Sequence, residues 1–518
     1  MHHADPNYRW KVLGIVMVGT LMSALDSSIV NVSLPKIMAD FGASVDDIEW
    51  VITGYMLSFA TFMPLTGWLR DRFGPKLLYT TALIVFTAAS LMCGLAWNLS
   101  SLVAARVLQA VGGGALTPIG LAMISDVFSP KERPRALGYW GMGAVVGPTF
   151  GPTLGGYLTN QVSWRSIFMI NLPIGIIGAI WAITTLRKDK ISHAHRKPFD
   201  LAGFLFLSMF LVGFLLGLSK GEREGWTSAY ILACWGVAIS GLVGFLTVEF
   251  LIRHPVLDLQ LFSYPIFTAS AIVTFARSVA LYGGTFLLPL FLQQLMGLDE
   301  IESGLILLPG ALIIAVVMTQ SSRMNEKLGP RLCCWVGLAL VGISMFLYYD
   351  INVNTSIGMG IIAPTLLRGA GIGFLIAPIT AAAMNAVPTE KTAAASAMLN
   401  LIQQVAGSVG IALLGMVLSN RTQFHLAVLG NAIQRDAPVT VEVTKSLYYL
   451  ARMLGYSGTE SGQVAHGLIV AHVQASASVA GFEDSFIVGG VIVIVGLVAA
   501  ALMPKDAVLT EGEPIALE

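Results

Sequence analysis

Apolar runs of about twenty residues, separated by short polar breaks, repeat along the chain from Lys11 to Met503. A helix needs ~20 apolar residues to cross a hydrocarbon layer ~30 Å thick. The pattern predicts about fourteen such spans, near 12–34, 51–69, 77–97, 101–124, 136–158, 165–186, 199–219, 229–251, 266–291, 303–321, 332–349, 357–385, 392–419 and 485–503. One long polar interruption, Arg421 to Asp484, reads as an extramembrane loop with two helices of its own, near 439–454 and 462–479. Composition strengthens this reading. The 518 residues are 55% hydrophobic and 12% charged, with a mean hydropathy of +0.75, whereas soluble domains carry about 25% charge. The expected fold is an all-α polytopic membrane protein. The formal net charge of +0 gives nothing for nucleic acid to recognise. The first apolar run continues into a full span, so no cleavable signal peptide is expected.

Charge placement orients the spans. Arg9, Lys11, Arg70, Arg72, Lys76, Arg133, Arg135, Arg187, Lys188, Arg253, Arg331 and Lys505 fall on one side, with far fewer basic residues opposite. The positive-inside rule then puts both termini in the cytoplasm and the 421–484 segment outside. An internal repeat sharpens the picture. Gly74-Pro75-Lys76-Leu77 recurs as Gly329-Pro330-Arg331-Leu332, Leu34-Pro35 as Leu288-Pro289, and Pro130 to Arg133 as Pro388 to Lys391. Gly112 to Gly114 is echoed by Gly371-Ile372-Gly373. Two six-helix bundles follow, 1–186 and 258–503, with two inserted helices and linkers in 187–257 and a cytoplasmic tail in 504–518. Parallel halves around a midplane cavity are a transporter architecture.

Departures from the apolar pattern mark the candidate chemistry. Asp26 lies midway along the first span; a carboxylate there costs at least ~2.5–3.5 kcal/mol and must face protein or a water-filled cavity. Burial favours its neutral form, which suits a proton carrier; the bland alternative is an acid satisfied by a hydroxyl or an arginine. Arg106, in the fourth span, stays charged, and Asp26 is a candidate partner. Asn31, Gln109, Arg277 and Arg368 are placed where they could line the cavity; Glu249, near the end of span eight, could answer Arg277 or simply reach the interface. Gly143, Gly147, Gly151 and Gly155 recur every four residues, with Pro148, Pro152 and Gly156 among them. That bare, kinked face suits close packing in a bilayer, expected here between the halves of the transport cycle. Gly67, Asp71, Arg72, Gly74 and Lys76 form a charged turn after span two, either an ordinary basic loop or a gate in which Asp71 caps a facing helix near Thr392.

No nucleophile–base motif, nucleotide loop or zinc spacing is present. The four cysteines lie in apolar segments, and the histidine pairs His193/His195 and His466/His472 lack a third ligand. Neither an enzyme nor a metal site nor a bound cofactor is expected; a proton gradient is the expected drive.

Five stretches together resemble the fourteen-helix drug:proton antiporter branch of the major facilitator superfamily, the EmrB/QacA type. They are Leu25 to Pro35 (LDSSIVNVSLP), Gly67 to Lys76 (GWLRDRFGPK), Arg106 with its following glycines, Gly143 to Gly156, and Trp164-Arg165 through Phe168, Asn171, Pro173 and Gly175. The resemblance implies a multidrug exporter in which Asp26 and Arg106 serve proton coupling and Gly143 to Gly156 is the antiporter motif. The long outer segment is similar to that of the EmrB subgroup, which implies an EmrA-like periplasmic adaptor and a TolC-like outer-membrane channel as partners, at a bacterial inner membrane. In-span arginines tilt the expected cargo toward neutral or anionic amphiphiles. A dedicated exporter of one metabolite, lipid or siderophore, or a non-transporting receptor, remains open.

Overall fold

The computed structural model describes residues 6–129, 132–187, 199–252, 257–298, 300–352, 355–388, 391–432 and 438–505. His193, His195, Lys188, Arg253, the Pro130–Lys131 repeat segment and most of the 504–518 tail lie outside them. Regular structure among the described residues is entirely helical. The first half comprises α1 (Pro6–Phe41), α2 (Val45–Ile48), α3 (Trp50–Phe62), α4 (Leu65–Phe73), α5 (Pro75–Gly94), α6 (Leu99–Val127), α7 (Arg133–Gln161), α8 (Ser166–Met169) and α9 (Asn171–Thr185). The inserted pair is α10 (Leu201–Glu224) and α11 (Ala229–Leu251). The second half comprises α12 (Pro265–Gln294), α13 (Glu300–Leu347), α14 (Ala363–Asn385), α15 (Thr392–Ala432), α16 (Pro438–Met453) and α17 (Gly458–Ala500). Among the described residues, eleven helices are long and apolar enough to cross a membrane.

The repeat is written into the backbone. Gly74 ends α4 at φ 81, ψ 154, and Gly329 bends α13 at φ 74, ψ 164, a region open essentially to glycine alone. The cation two residues later does the same work in each half. Lys76 Nζ donates to the carbonyl of Ile183 at 2.7 Å and also to that of Leu186, at the end of α9. Arg331 Nε donates to the carbonyl of Met503 at 2.7 Å, just past α17. A cation on orphan carbonyls at a helix C-terminus is favourable. The glycine triplets also correspond. A Cβ on Gly112 would stand 2.8 Å from the carbonyl oxygen of Ala82, and one on Gly371 2.6 Å from that of Gly337. In both halves these small residues let backbones touch where lipid offers no hydrophobic drive to association.

The termini share one end of the bundle. Arg9 pairs with Glu132 at 2.6 Å and Arg133 donates to Asn385 Oδ1 at 2.6 Å, while Arg331 holds the end of α17. The inserted pair leans on the seam between halves: Leu207 and Leu211 of α10 pack with Met63 near α3 and with Ala395 and Leu399 of α15. Its outward side is apolar and exposed at Leu232, Ile239 and Val243, as a lipid-facing surface should be.

The outer segment corrects the sequence expectation. It is not a loop after one span and before another. α15 runs unbroken to Ala432, and the helix expected near 462–479 is the first part of α17, which continues to Ala500. At 1.5 Å per residue the 41 and 43 residues of these helices reach about 60 Å, twice the hydrocarbon thickness. Hydropathy falls along these extensions, but helix propensity does not, and an N-terminal capping box of Ser457 and Glu460 starts α17. Arg421 and His425 meet Asp484 at 2.5 and 2.8 Å and tie the two helices together.

Candidate functional site

Asp26 and Arg106 are in contact. Both are sealed inside the first half, 0% and 1% exposed, and Arg106 Nη1 donates to Asp26 Oδ2 at 2.5 Å. Two neutral amides complete the carboxylate. Gln109 Nε2 and Asn171 Nδ2 donate to Oδ1 at 2.8 and 2.9 Å. Both also reach Ser90 Oγ, at 2.6 and 3.3 Å. Arg106 has further acceptors: the Gln109 Oε1 at 2.6 Å, the Val51 carbonyl at 3.3 Å, and the Tyr55 ring face 4.0 Å from Cζ. An ionised carboxylate is an acceptor only, and every neighbour here is a donor. The arginine keeps a hydrogen bond and a π face even if Asp26 takes a proton. The cluster can therefore hold either charge state of the acid without orphaning the guanidinium.

Five helices deliver these groups. Asn98 caps the start of α6 with a box closed by Ser101, fixing the turn that precedes Arg106. Trp164 Nε1 and Arg165 Nη1 donate to Asp40 Oδ2 at 2.9 and 3.0 Å, pinning the C-terminal end of α1 to the segment that begins α8 and leads to Asn171. The four-glycine face of α7 lies against α1 beside Asp26. A Cβ on Gly147 would stand 2.6 Å from Leu25 N, and one on Gly155 2.8 Å from the Ile29 carbonyl oxygen; at Gly151 it would overlap Ser28 Oγ. Gly143 sits 3.6 Å from the Met17 carbonyl oxygen by the same measure, and Gly156 faces Val32. The face packs inside the first half, helix against helix. Contacts across the halves come from Gly138 and Gly141, against Ser322 and Met318 of α13. Pro148 and Pro152 fall on α7, with side chains outside the described residues.

A separate cavity of about 650 Å³ lies between the halves. Asn31, Arg277 and Arg368 line it; Gln109 does not, because its side chain turns into the Asp26 cluster. α1 serves both sites, with Asp26 buried in the bundle and Ser28, Asn31 and Val32 on the cavity within two turns. Arg277 Nη2 donates to Gln403 Oε1 at 2.7 Å, and Gln403 Nε2 to Tyr282 at 3.4 Å. Glu249 lies buried in the last turn of α11, near Asp200 and Asp258, and does not pair with Arg277. The cavity extends to Gln293 and Ser303 at the end opposite the termini. At the termini end the halves close: Ser396 Oγ donates to the Pro118 carbonyl at 3.0 Å beside the Arg133–Asn385 bond. In the charged turn, Gly67 faces Ala394 in the first turn of α15, and Arg70 pairs with Asp126 at 2.6 Å. Arg72 is half-buried there.

Sequence reasoning missed Ser90, Tyr55, Gln403 and the role of Asn171. Asn171 carried a signal, as an amide in an apolar run; the others are ordinary residues whose importance is purely spatial.

Comparison with known proteins converges on the same reading. Residues 16–411 match the Major Facilitator Superfamily. The chain is 30% identical over 493 residues to the uncharacterized MFS-type transporter YhcA of Bacillus subtilis, covering 95% of this chain and 92% of that one. It is 30% identical over 448 residues to the multidrug export protein EmrB of Haemophilus influenzae, covering 86% of each. The colistin resistance protein EmrB of Acinetobacter baumannii is 28% identical over 476 residues, 92% of each. The crystal structure of the human organic anion transporter MFSD10 (TETRAN) superposes with a TM-score of 0.62 at 13% identity, covering 96% of this chain and 100% of that one. That likeness concerns the fold. With the family matched across most of its length and a buried Asp–Arg pair beside a central cavity, this chain belongs to the major facilitator superfamily, as a multi-pass inner-membrane transporter of the EmrB type.

Proposed function

We propose that the protein is a proton-driven multidrug exporter that moves amphipathic toxic compounds outward by alternating access. The observation that carries this reading is α1, which holds the Asp26–Arg106 pair on one side and the cavity residues Ser28 and Asn31 on the other. Protonating Asp26 removes the charge that fixes Arg106, and any shift of α1 is felt in the cavity one to two turns away. Cargo in the cavity and a proton on Asp26 then favour different arrangements of the same helix, which is the differential interaction that coupling requires.

The finer architecture follows the same reading. Adding α3–α4 and α7 to the eleven apolar helices, and dividing α13 at Gly329, gives fourteen spans. Both termini lie in the cytoplasm, so the arrangement described is closed inside with its cavity directed outward. Asp71, on the helix that faces the start of α15, caps that helix in the closed state. The outer helices α15 to α17 receive an EmrA-like adaptor that leads to a TolC-like channel, as the EmrB-named relatives suggest.

The test is lumenal pH in energised everted vesicles. Adding a cargo amphiphile should release protons from the lumen of wild-type vesicles and not from Asp26→Asn vesicles. Equal release from both would remove Asp26 from the proton path.

A further inference from the structure

The cavity carries an uncompensated charge. Arg277 and Arg368 both line it and are 5% and 8% exposed. Among the described residues no acidic side chain lines the cavity, and neither arginine forms an ion pair. Arg277 uses one amino group on Gln403 and leaves its Nε without a hydrogen bond. Arg368 makes no hydrogen bond among the described residues, and its Nη1 is buried and unpaired. Gly284 makes room for that group; a Cβ there would overlap Nη1. Arg106 shows what a structural arginine looks like in this protein, with a carboxylate, an amide and a carbonyl all in reach. A buried charge without a partner is costly, and inside a membrane it marks a functional site. Guanidinium forks match oxyanions in particular. The remaining lining is largely aliphatic, with Leu281, Leu307, Ile372 and Ile376 beside the cations.

We infer that the cavity is built for an amphiphile with an anionic oxygen head group, carboxylate, sulfonate or phosphate, seated on Arg277 and Arg368, with its apolar part against the aliphatic wall. The inference rests on the exporter reading and deepens it. It has an electrical consequence. Exchange of one inward proton for one outward monoanion moves two charges in the same sense, so an interior-negative potential drives export as well as the pH gradient. A neutral cargo would move one charge, and a monocation none.

The experiment pairs decanesulfonate with decyltrimethylammonium, equal in chain length and opposite in head group. In phosphatidylcholine nanodiscs, decanesulfonate should bind at least tenfold more tightly than the cation. Arg277→Gln and Arg368→Gln should each lower that affinity tenfold or more, with the lysine variants losing less. Thermal unfolding guards against misfolding. Removing an unpaired buried charge should leave the empty protein as stable or more so, while abolishing the stabilisation by decanesulfonate; a structural arginine would lower the empty protein's midpoint instead. In proteoliposomes, a valinomycin-set negative interior should speed decanesulfonate export. Equal binding of both head groups, or unchanged affinity in the glutamine variants, overturns the inference. Proton exchange for the cation but not the anion overturns it while leaving the exporter reading intact; exchange of neither removes the exporter reading. Competition from added phosphatidylglycerol supports the anion site and identifies a lipid head group as its source.

Discussion

Asp26 and its neighbours show how a membrane interior holds one carboxylate. The acid accepts three charge-neutralising or polar donors, from Arg106, Gln109 and Asn171. Hydrogen bonds to a charged group are worth ~1.5–3 kcal/mol each. Asn171→Leu keeps the volume but removes one of the donors that hold the Asp26 carboxylate. The expected outcome is cargo-driven proton release that is greatly slowed in vesicles, with normal insertion and folding. Unaltered release would mean that Asn171 is scenery. The charged pair was legible in the sequence because an ion in an apolar run is expensive and conspicuous. Its amide partners were less so: neutral polar groups are tolerated at many depths, and only the fold says which way they turn. Gln109 illustrates the point, having been expected on the cavity and found on Asp26.

At the level of helices, glycine pattern translated into contact with little loss, but the partner did not. Periodicity marks a bare face, not what lies against it. The face of α7 meets α1 so closely that a methyl group at Gly147 would press on the backbone of Ala24 and Leu25. Backbone cannot swing aside as a side chain can, so Gly147→Ala should destabilise the purified protein by about 1–3 kcal/mol, read as a lower unfolding midpoint. An unchanged midpoint would show that α7 and α1 are looser than described. The outer segment is the opposite case. Its hydropathy fell below the level of a span, yet the helices simply continue, held by Arg421, His425 and Asp484. That rigid extension makes α16 separable from transport. Replacing Pro438–Met453 with a short flexible linker should leave proteoliposome transport near wild type while abolishing resistance in whole cells, on the proposal that an adaptor docks there. Loss of both would place α16 in the transport machinery itself.

For the whole molecule, the internal repeat set the architecture: two halves with matching Gly-Pro-cation turns, each bonding the last helix of its own bundle. What sequence left out was the state. The halves meet at the termini end through Ser396 to Pro118 and Arg133 to Asn385. One neutral bond and one to a charged group are worth about 2–4.5 kcal/mol together, roughly a thirtyfold or larger change in population. Ser396→Ala with Asn385→Ala should therefore move the ensemble toward the alternate arrangement. Spin-label distances across the cavity at the end opposite the termini, near Val32 and Gln293, should shorten in the double variant. An unchanged distribution would mean that the apolar seam alone sets the balance.

We propose that the Asp26 cluster couples proton to cargo rather than merely holding the bundle together. Purified protein in proteoliposomes with cargo on both sides decides this. Asp26→Asn should retain energy-independent exchange of labelled for unlabelled cargo but lose all accumulation against a gradient under an imposed pH difference. Gradient-driven accumulation by Asp26→Asn at the wild-type level would contradict it.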